Sequence, residues 1–221
     1  MAYRTNLGQE SGNFHNMMKN GFGIVTVMDA KVFNVPSDFK FEDHTPYEII
    51  SEFDKQTPLC TLDTLKIANV TMEGPTKTIT GGQYTNPLIK FGKTARLEMQ
   101  DALGNSEAIE ALCGGVQEWQ DDKYIGLHFG SDFQGPKMII GKSFFIERTS
   151  GAQVPVKIVF YQFLPDSIFN LTQDAEGDAT VFDMNGDLLT TTITLHDSEG
   201  EGIPHGVFYS IVNPDAAVVS E

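Results

Sequence analysis

Short runs rich in β-branched and aromatic residues, each closed by Gly, Pro, Asn or Asp, recur along this chain and restrict it to a sheet-based fold. They are "FGIVTV" (22–27), "TLKIANVTM" (64–72), "ARLEMQDA" (95–102), "KYIGLHF" (123–129), "KMIIGKSFFIE" (137–147), "VPVKIVFYQF" (154–163) and "LLTTTITL" (188–195). Such side chains fit a pleated, partly buried surface, and the bounding residues are those that turns demand. In "TLKIANVTM", Leu65, Ile67 and Asn69 point one way and Lys66, Ala68 and Val70 the other, which predicts partial cover on both faces. In "TVFDMNGDLLTTT" the pair Asn185-Gly186 separates two strand-like runs and predicts a hairpin turn. The pattern predicts a mainly β fold, an antiparallel β-sandwich or barrel.

Two segments carry helical spacing instead. "NSEAIEALCGG" offers a cap at Asn105 or Ser106, Glu107 in the first turn, Ile109 and Leu112 on one side and a stop at Gly114, so a short flanking helix is expected over about 105–114. "TPYEIISEF" offers Thr45 as cap, Pro46 at the first position and Tyr47, Ile50 and Phe53 at spacings of three, which predicts a second short helix over 46–53. There is no internal repeat and no Ser-rich linker, so residues 1–221 are expected to form one β domain with an N-terminal arm, 1–21, and a C-terminal tail, 213–221.

Charge is unevenly placed. The chain holds 15 basic and 30 acidic residues, a net of -15. Residues 1–100 carry 11 acidic against 10 basic residues, residues 101–221 carry 19 against 5, and no Lys or Arg follows Lys157. An acid-only surface repels phosphate backbones at close range and disfavours tight nucleic-acid binding. No run of about 18 apolar residues could span a bilayer, and Met1 to Gly21 lack a signal peptide's basic start and apolar stretch; folding in the cytoplasm is expected. Cys60 and Cys113 are too few and too isolated for a disulfide framework and read as reduced packing residues.

The stretch "TITGGQYTNPLIKFGKTARLEMQDALG" (78–104) imitates two chemistries. Before Gly92-Lys93-Thr94, the first glycine of a P-loop would fall on Pro87, which has no N–H to offer a phosphate. In "GPKMIIGKS" that glycine falls on Pro136. Gly81-Gly82-Gln83 has the letters of a peptidyl-tRNA hydrolysing tip, but a turn with positive φ explains it and an acidic chain suits no ribosomal partner. Asp183-Met184-Asn185-Gly186-Asp187 begins like a calcium loop, yet its sixth position is Leu188 and its twelfth Thr194. His15, His44, His128, His196 and His205 show no paired metal-ligand spacing, and His196 and His205 flank a solvated acidic loop, "DSEGEGIP". No nucleophile elbow occurs. No catalytic, cofactor or metal residue is therefore assigned, and the profile fits a non-enzymatic subunit of an assembly.

The stretches "EGPTKTITGGQYTNPLIKFGKTARLEMQDALG" (73–104), "SEAIEALCGG" after it, and "FYQFLPDSIFNLTQDAEGDATVFDMNGDLL" (160–189) resemble stretches of major tail structural proteins of tailed bacteriophages, among which the modest length suits the tail tube subunit. That resemblance implies a β domain with one flanking helix, assembled in the host cytoplasm into stacked, usually hexameric rings whose joined inner strands form a hollow tube in the virion. Ring closure would remove the exposed strand edges that otherwise invite uncontrolled pairing. The partners implied are further copies of the chain, the tape-measure, terminator and baseplate or tip proteins, and genome DNA that passes without specific binding; no membrane is involved.

Two sets of residues follow as candidates. Asp174, Glu176, Asp178, Asp183 and Asp187 are expected to line the lumen as a non-stick wall, effective within the screening length of about 8 Å. The loop from Gly81 and Gly82 through Tyr84, Leu88, Ile89, Lys90 and Phe91 to Lys93 is apolar for solvent yet locally basic, and is expected to dock on an acidic surface of a neighbouring ring subunit. The connection 36–62, the loop 74–92 and both termini are expected to order on neighbours. Two alternatives stay open: another virion component (terminator, baseplate hub or decoration protein), and a carbohydrate-binding or hydrolytic β-sandwich using dispersed acids with Trp119, Tyr124 and Phe133.

Overall fold

The structure, a computed structural model, describes residues 22–24, 27, 29–63, 65–74, 76–78, 88–90, 92–101, 106–130, 134–147, 151, 153–166, 182–196 and 200–214. In chain order the elements are β1 (Phe22–Ile24), β2 (Asp29–Asn34), a 3-10 turn (Phe41–Asp43), α1 (Pro46–Phe53), β3 (Cys60–Leu62), β4 (Leu65–Glu73), β5 (Thr76–Thr78), β6 (Leu88–Lys90), β7 (Thr94–Asp101) and α2 (Ser106–Cys113). They continue with β8 (Gly115–Gln120), β9 (Lys123–Phe129), β10 (Lys137–Glu147), β11 (Gln153–Pro165), β12 (Phe182–Leu188), β13 (Thr191–His196), β14 (Gly202–Val207) and β15 (Tyr209–Val212). The fold is mainly β, with antiparallel sheets and two short helices.

Among the described residues nine strands join one sheet, ordered β3-β2-β10-β11-β12-β7-β4, with β1 also on β10 and β15 also on β11. The longest strands, β10 and β11, pair with each other from Lys137↔Phe163 to Ile146↔Gln153. The free edge of β10 takes β2 along Lys137–Lys142 and β1 along Phe145–Glu147. The free edge of β11 takes β15 along Lys157–Phe160 and β12 along Phe163–Pro165.

Both faces of this central pair are covered, which is why its sequence reads as nearly continuous apolar residues. On one face Ile139, Ile158 and Phe160 pack with Val32, Leu97, Met184 and the α2 residues Ala108 and Leu112. On the other, Met138, Ile140, Val159 and Tyr161 pack with Phe33, the α1 residues Ile49, Ile50 and Phe53, and Ile193. Each large side chain so buried contributes about 1.5–3 kcal/mol. The Tyr161 hydroxyl donates to Ser210 Oγ at 2.7 Å, so the buried phenol is not left unsatisfied, and burial pushes its pKa up to about 12.

Both helices are fixed by local chemistry. Thr45 caps α1 in a capping box: its Oγ1 accepts from Glu48 N–H at 3.3 Å and its own N–H donates to Glu48 Oε2 at 2.8 Å. That backbone donor is the main reason the Glu48 carboxyl sits below its ordinary range. At the end of α2, Gly114 turns the chain with φ of 77°. Neither Cys60 nor Cys113 is in a disulfide, and burial pushes the Cys113 thiol up to about 11.

Three expectations are corrected. The connection 36–62 does not await a neighbour: its Phe41, Ile49, Ile50 and Phe53 are core residues of this chain, because α1 covers one face of β10 and β11. The run 188–195 is two strands, broken at Leu189, whose N–H donates to Gln162 O at 2.9 Å. Asn185-Gly186 is not a hairpin turn either. It lies inside β12, paired with Glu98 and Leu97 of β7. A Cβ at Gly186 would stand 2.2 Å from Leu164 O and 2.7 Å from the Phe163 ring, so glycine is required for close approach rather than for turning.

Gly186→Ala is therefore expected to lower the unfolding free energy by about 3 kcal/mol. Gly92→Ala, with nothing within 4 Å of its new Cβ, should change it by less than about 0.5 kcal/mol. Urea denaturation of the two variants measures both.

Candidate functional site

Two surfaces stand out, and both are built by strand alternation. The first is the outer face of β4, β7 and β12. Ala95, Leu97 and Met99 of β7 and Met184 and Leu188 of β12 turn into the core. The intervening residues, Arg96, Glu98 and Gln100 with Asp183, Asn185 and Asp187, therefore share the opposite face. Register brings them into cross-strand rows: Asp183 beside Gln100, Asn185 beside Glu98, Asp187 beside Arg96, with Asn69 and Thr71 of β4 completing the last two rows. Gln100 Nε2 donates to Asp183 Oδ1 at 2.9 Å. Arg96 donates to Asp187 Oδ1 at 3.3 Å and also grips Asp166, whose hydrogen bond is the main cause of its raised pKa.

These side chains surround a shallow depression of about 260 Å³ lined by Asn69, Glu98, Met99, Gln100, Asp183 and Asn185. No cation lies within 4 Å of Glu98 among the described residues. Nor, among them, is any group of three His, Cys, Asp or Glu arranged to hold a metal ion. What this face offers is a solvent-facing wall of carboxylates and amides.

The second surface is a two-stranded hairpin, β8 and β9, that pairs with no other strand among the described residues. Asp121 and Asp122 form its turn at φ of 49° and 60°, the double positive φ of a two-residue type I′ connection. Its root is fixed to α2: Gly115 lies so close to Ile109 and Leu127 that a Cβ would come within 3.4 and 2.9 Å of them, and Gln117 Nε2 donates to Glu110 Oε2 at 2.7 Å. His128 and Glu118 meet across the strands at 2.7 Å. Along the hairpin, Val116, Trp119, Tyr124, Ile125 and Phe129 are each between 44 and 60 % exposed, with the Trp119 and Tyr124 rings in edge contact at 5.2 Å. An irregularity between Glu118 and Trp119 brings Trp119 opposite Tyr124.

Of the sequence candidates, Asp183 and Asp187 come together on the polar face. Asp174, Glu176 and Asp178 lie outside the described residues, as do Gly81, Gly82, Tyr84 and Phe91. Leu88, Ile89 and Lys90 form β6, paired with Thr78, Lys77 and Thr76 of β5, and Lys93 is exposed just before β7. The aromatic trio is joined only as far as Trp119 and Tyr124, since Phe133 lies outside the described residues. His196 and His205 sit on paired strands, opposite Gly202 and Ile193. The hairpin as an exposed apolar unit is absent from the sequence reading, although "QDDK" between "GVQEW" and "YIGLHF" carries its turn signal. No helix among the described residues is long and apolar enough to cross a membrane. A scan against protein-family models and a search of the curated proteins each return no match.

Because the outer half of the hairpin touches little, Trp119→Ser should cost no more than about 1 kcal/mol of stability. Phe145→Ala, at a ring with no exposed surface, should cost about 3–5 kcal/mol. Equal losses in thermal or chemical denaturation would place Trp119 in the core and contradict the exposed hairpin.

Proposed function

We propose that this chain is the tail tube subunit of a tailed bacteriophage, a structural protein that assembles into stacked rings and encloses a channel for the genome. The observation that carries this reading is the outer face of β4, β7 and β12, whose described side chains are polar and include Glu98, Asp183 and Asp187, while Ala95, Leu97 and Met99 of β7 are buried behind it. Such a face suits the inner wall of a tube through which a polyanion slides.

The one cation among the described side chains of these strands, Arg96, is held by Asp166 and Asp187 and so is not free to bind phosphate. Glu98, Asp183 and Asp187 then repel DNA at contact distance, within a screening length of about 8 Å. The edges support the same reading. Strand β4 ends the sheet with no partner on its far side among the described residues, over nine residues from Leu65 to Glu73. A long bare edge of this kind is an aggregation hazard unless another chain pairs with it, and ring closure is one way to satisfy it. The resemblance of 73–104 and 160–189 to major tail proteins falls on β7 and β12, the strands that carry this face.

Purified protein concentrated and viewed by negative-stain electron microscopy is expected to form tubes of uniform width. Single rings alone would favour a terminator-type role, and a protein that stays monomeric at all concentrations would overturn the proposal.

A further inference from the structure

The hairpin exposes apolar side chains at Val116, Trp119, Tyr124 and Ile125. Trp119 and Tyr124 stand opposite each other on one face of the ribbon, 60 and 44 % exposed, and Val116, three residues before Trp119, stands exposed on the other. Its turn carries two carboxylates and one ammonium, Asp121, Asp122 and Lys123. These charges are held at a defined tip by the type I′ backbone and by the anchorage of the root on α2.

A groove of about 240 Å³ elsewhere in the chain carries the matching mixture. It lies on the face of the sheet opposite α2, beyond the end of α1, and is lined by Lys31, Lys142, Lys157, Asp29, Asp54 and Asp63. The placement follows from alternation: Ala30, Val32 and Leu62 turn toward the α2 side, so Lys31 of β2 and Asp63 beyond β3 turn away from it. Lys142 and Lys157 stand directly opposite each other in the β10–β11 register, a like-charge pair that costs stability unless counter-charge is near. Asp54 pairs with Lys157. Neither Lys31 nor Lys142 has an acid within 4 Å among the described residues. In a chain of net charge -15, an acidic tip meets repulsion over much of the surface, whereas this groove sets Lys31 and Lys142, neither in an ion pair among the described residues, beside Asp29 and Asp63.

We propose that the β8–β9 hairpin of one copy docks in the Lys31/Lys142 groove of the next. Asp121 and Asp122 meet the two lysines, Lys123 meets the groove carboxylates, and Trp119 and Tyr124 pack on the lysine stems. Hairpin and groove lie on opposite faces of the sheet, so the contact is head-to-tail, the kind that closes into a ring when the rotation between copies allows it. The inference rests on the reading of the chain as a ring-forming subunit and names the contact between neighbours within it.

Charge exchange tests it in the full-length protein. Sedimentation analysis is expected to find association weakened at least tenfold by Asp121→Lys with Asp122→Lys, weakened similarly by Lys31→Asp with Lys142→Asp, and restored when the two variants are mixed. Should either reversed protein fail to fold by circular dichroism, Asp122→Cys mixed with Lys142→Cys supplies the reading: the contact requires a disulfide between copies, located by peptide mass spectrometry. Wild-type assembly that persists unchanged in both reversed proteins, or the absence of that cross-link, overturns the contact while leaving the tube reading standing. A wild-type protein that never associates overturns both.

Discussion

The two-sided burial of the β10–β11 pair is the constraint on which the rest of the structure depends. Because Ile139, Ile158 and Phe160 face one core and Met138, Ile140, Val159 and Tyr161 the other, the pair needs cover on both sides, and the chain supplies α2 on one and α1 with β13 on the other. The length of these strands, 11 and 13 residues, also lets each free edge carry two partners end to end. The sheet therefore divides: β15 and β12 share the edge of β11, and only β12 leads on to β7 and β4.

That division sets the two surfaces. Beyond β12, among the described residues, the sheet is covered on its inner face, and alternation separates Leu97 and Met184 inside from Glu98, Asp183 and Asp187 outside. Close approach of β11 to β12 is what Gly186 permits, and Asp166, immediately after β11, reaches across to hold Arg96. The hairpin arises differently. It follows α2 directly, is tied to it through Gly115 and Glu110, and pairs with no further strand among the described residues.

Much of this was legible in the sequence. The runs 123–129 and 137–147 coincide with β9 and β10, and 46–53 is α1 with the cap at Thr45, because period, length and capping chemistry are local. "ARLEMQ" announces its two faces in the same way. What failed was non-local. Asn-Gly is chosen both by hairpin turns and by strands that must pass close to a neighbour, and only the position of Leu164 and Phe163 separates the two uses at Gly186. The strand β2 carries no clear signal of its own, because its strand character comes from Val32 and Phe33 packing on opposite faces against different partners. The exposure of Trp119 and Phe129 could not be read at all, since an apolar side chain in a short strand looks the same whether a core or a neighbouring chain covers it.

In the proposed tube the polar face of β4, β7 and β12 looks inward and the bare edge of β4 is satisfied by another copy. A cryo-electron microscopy reconstruction of the assembled protein tests this most directly. The account requires Glu98, Asp183 and Asp187 on the lumen wall and the outer edge of β4 hydrogen-bonded to a strand of the adjacent subunit. Those carboxylates on the outer surface of the tube, with the β4 edge still unpaired, would contradict it.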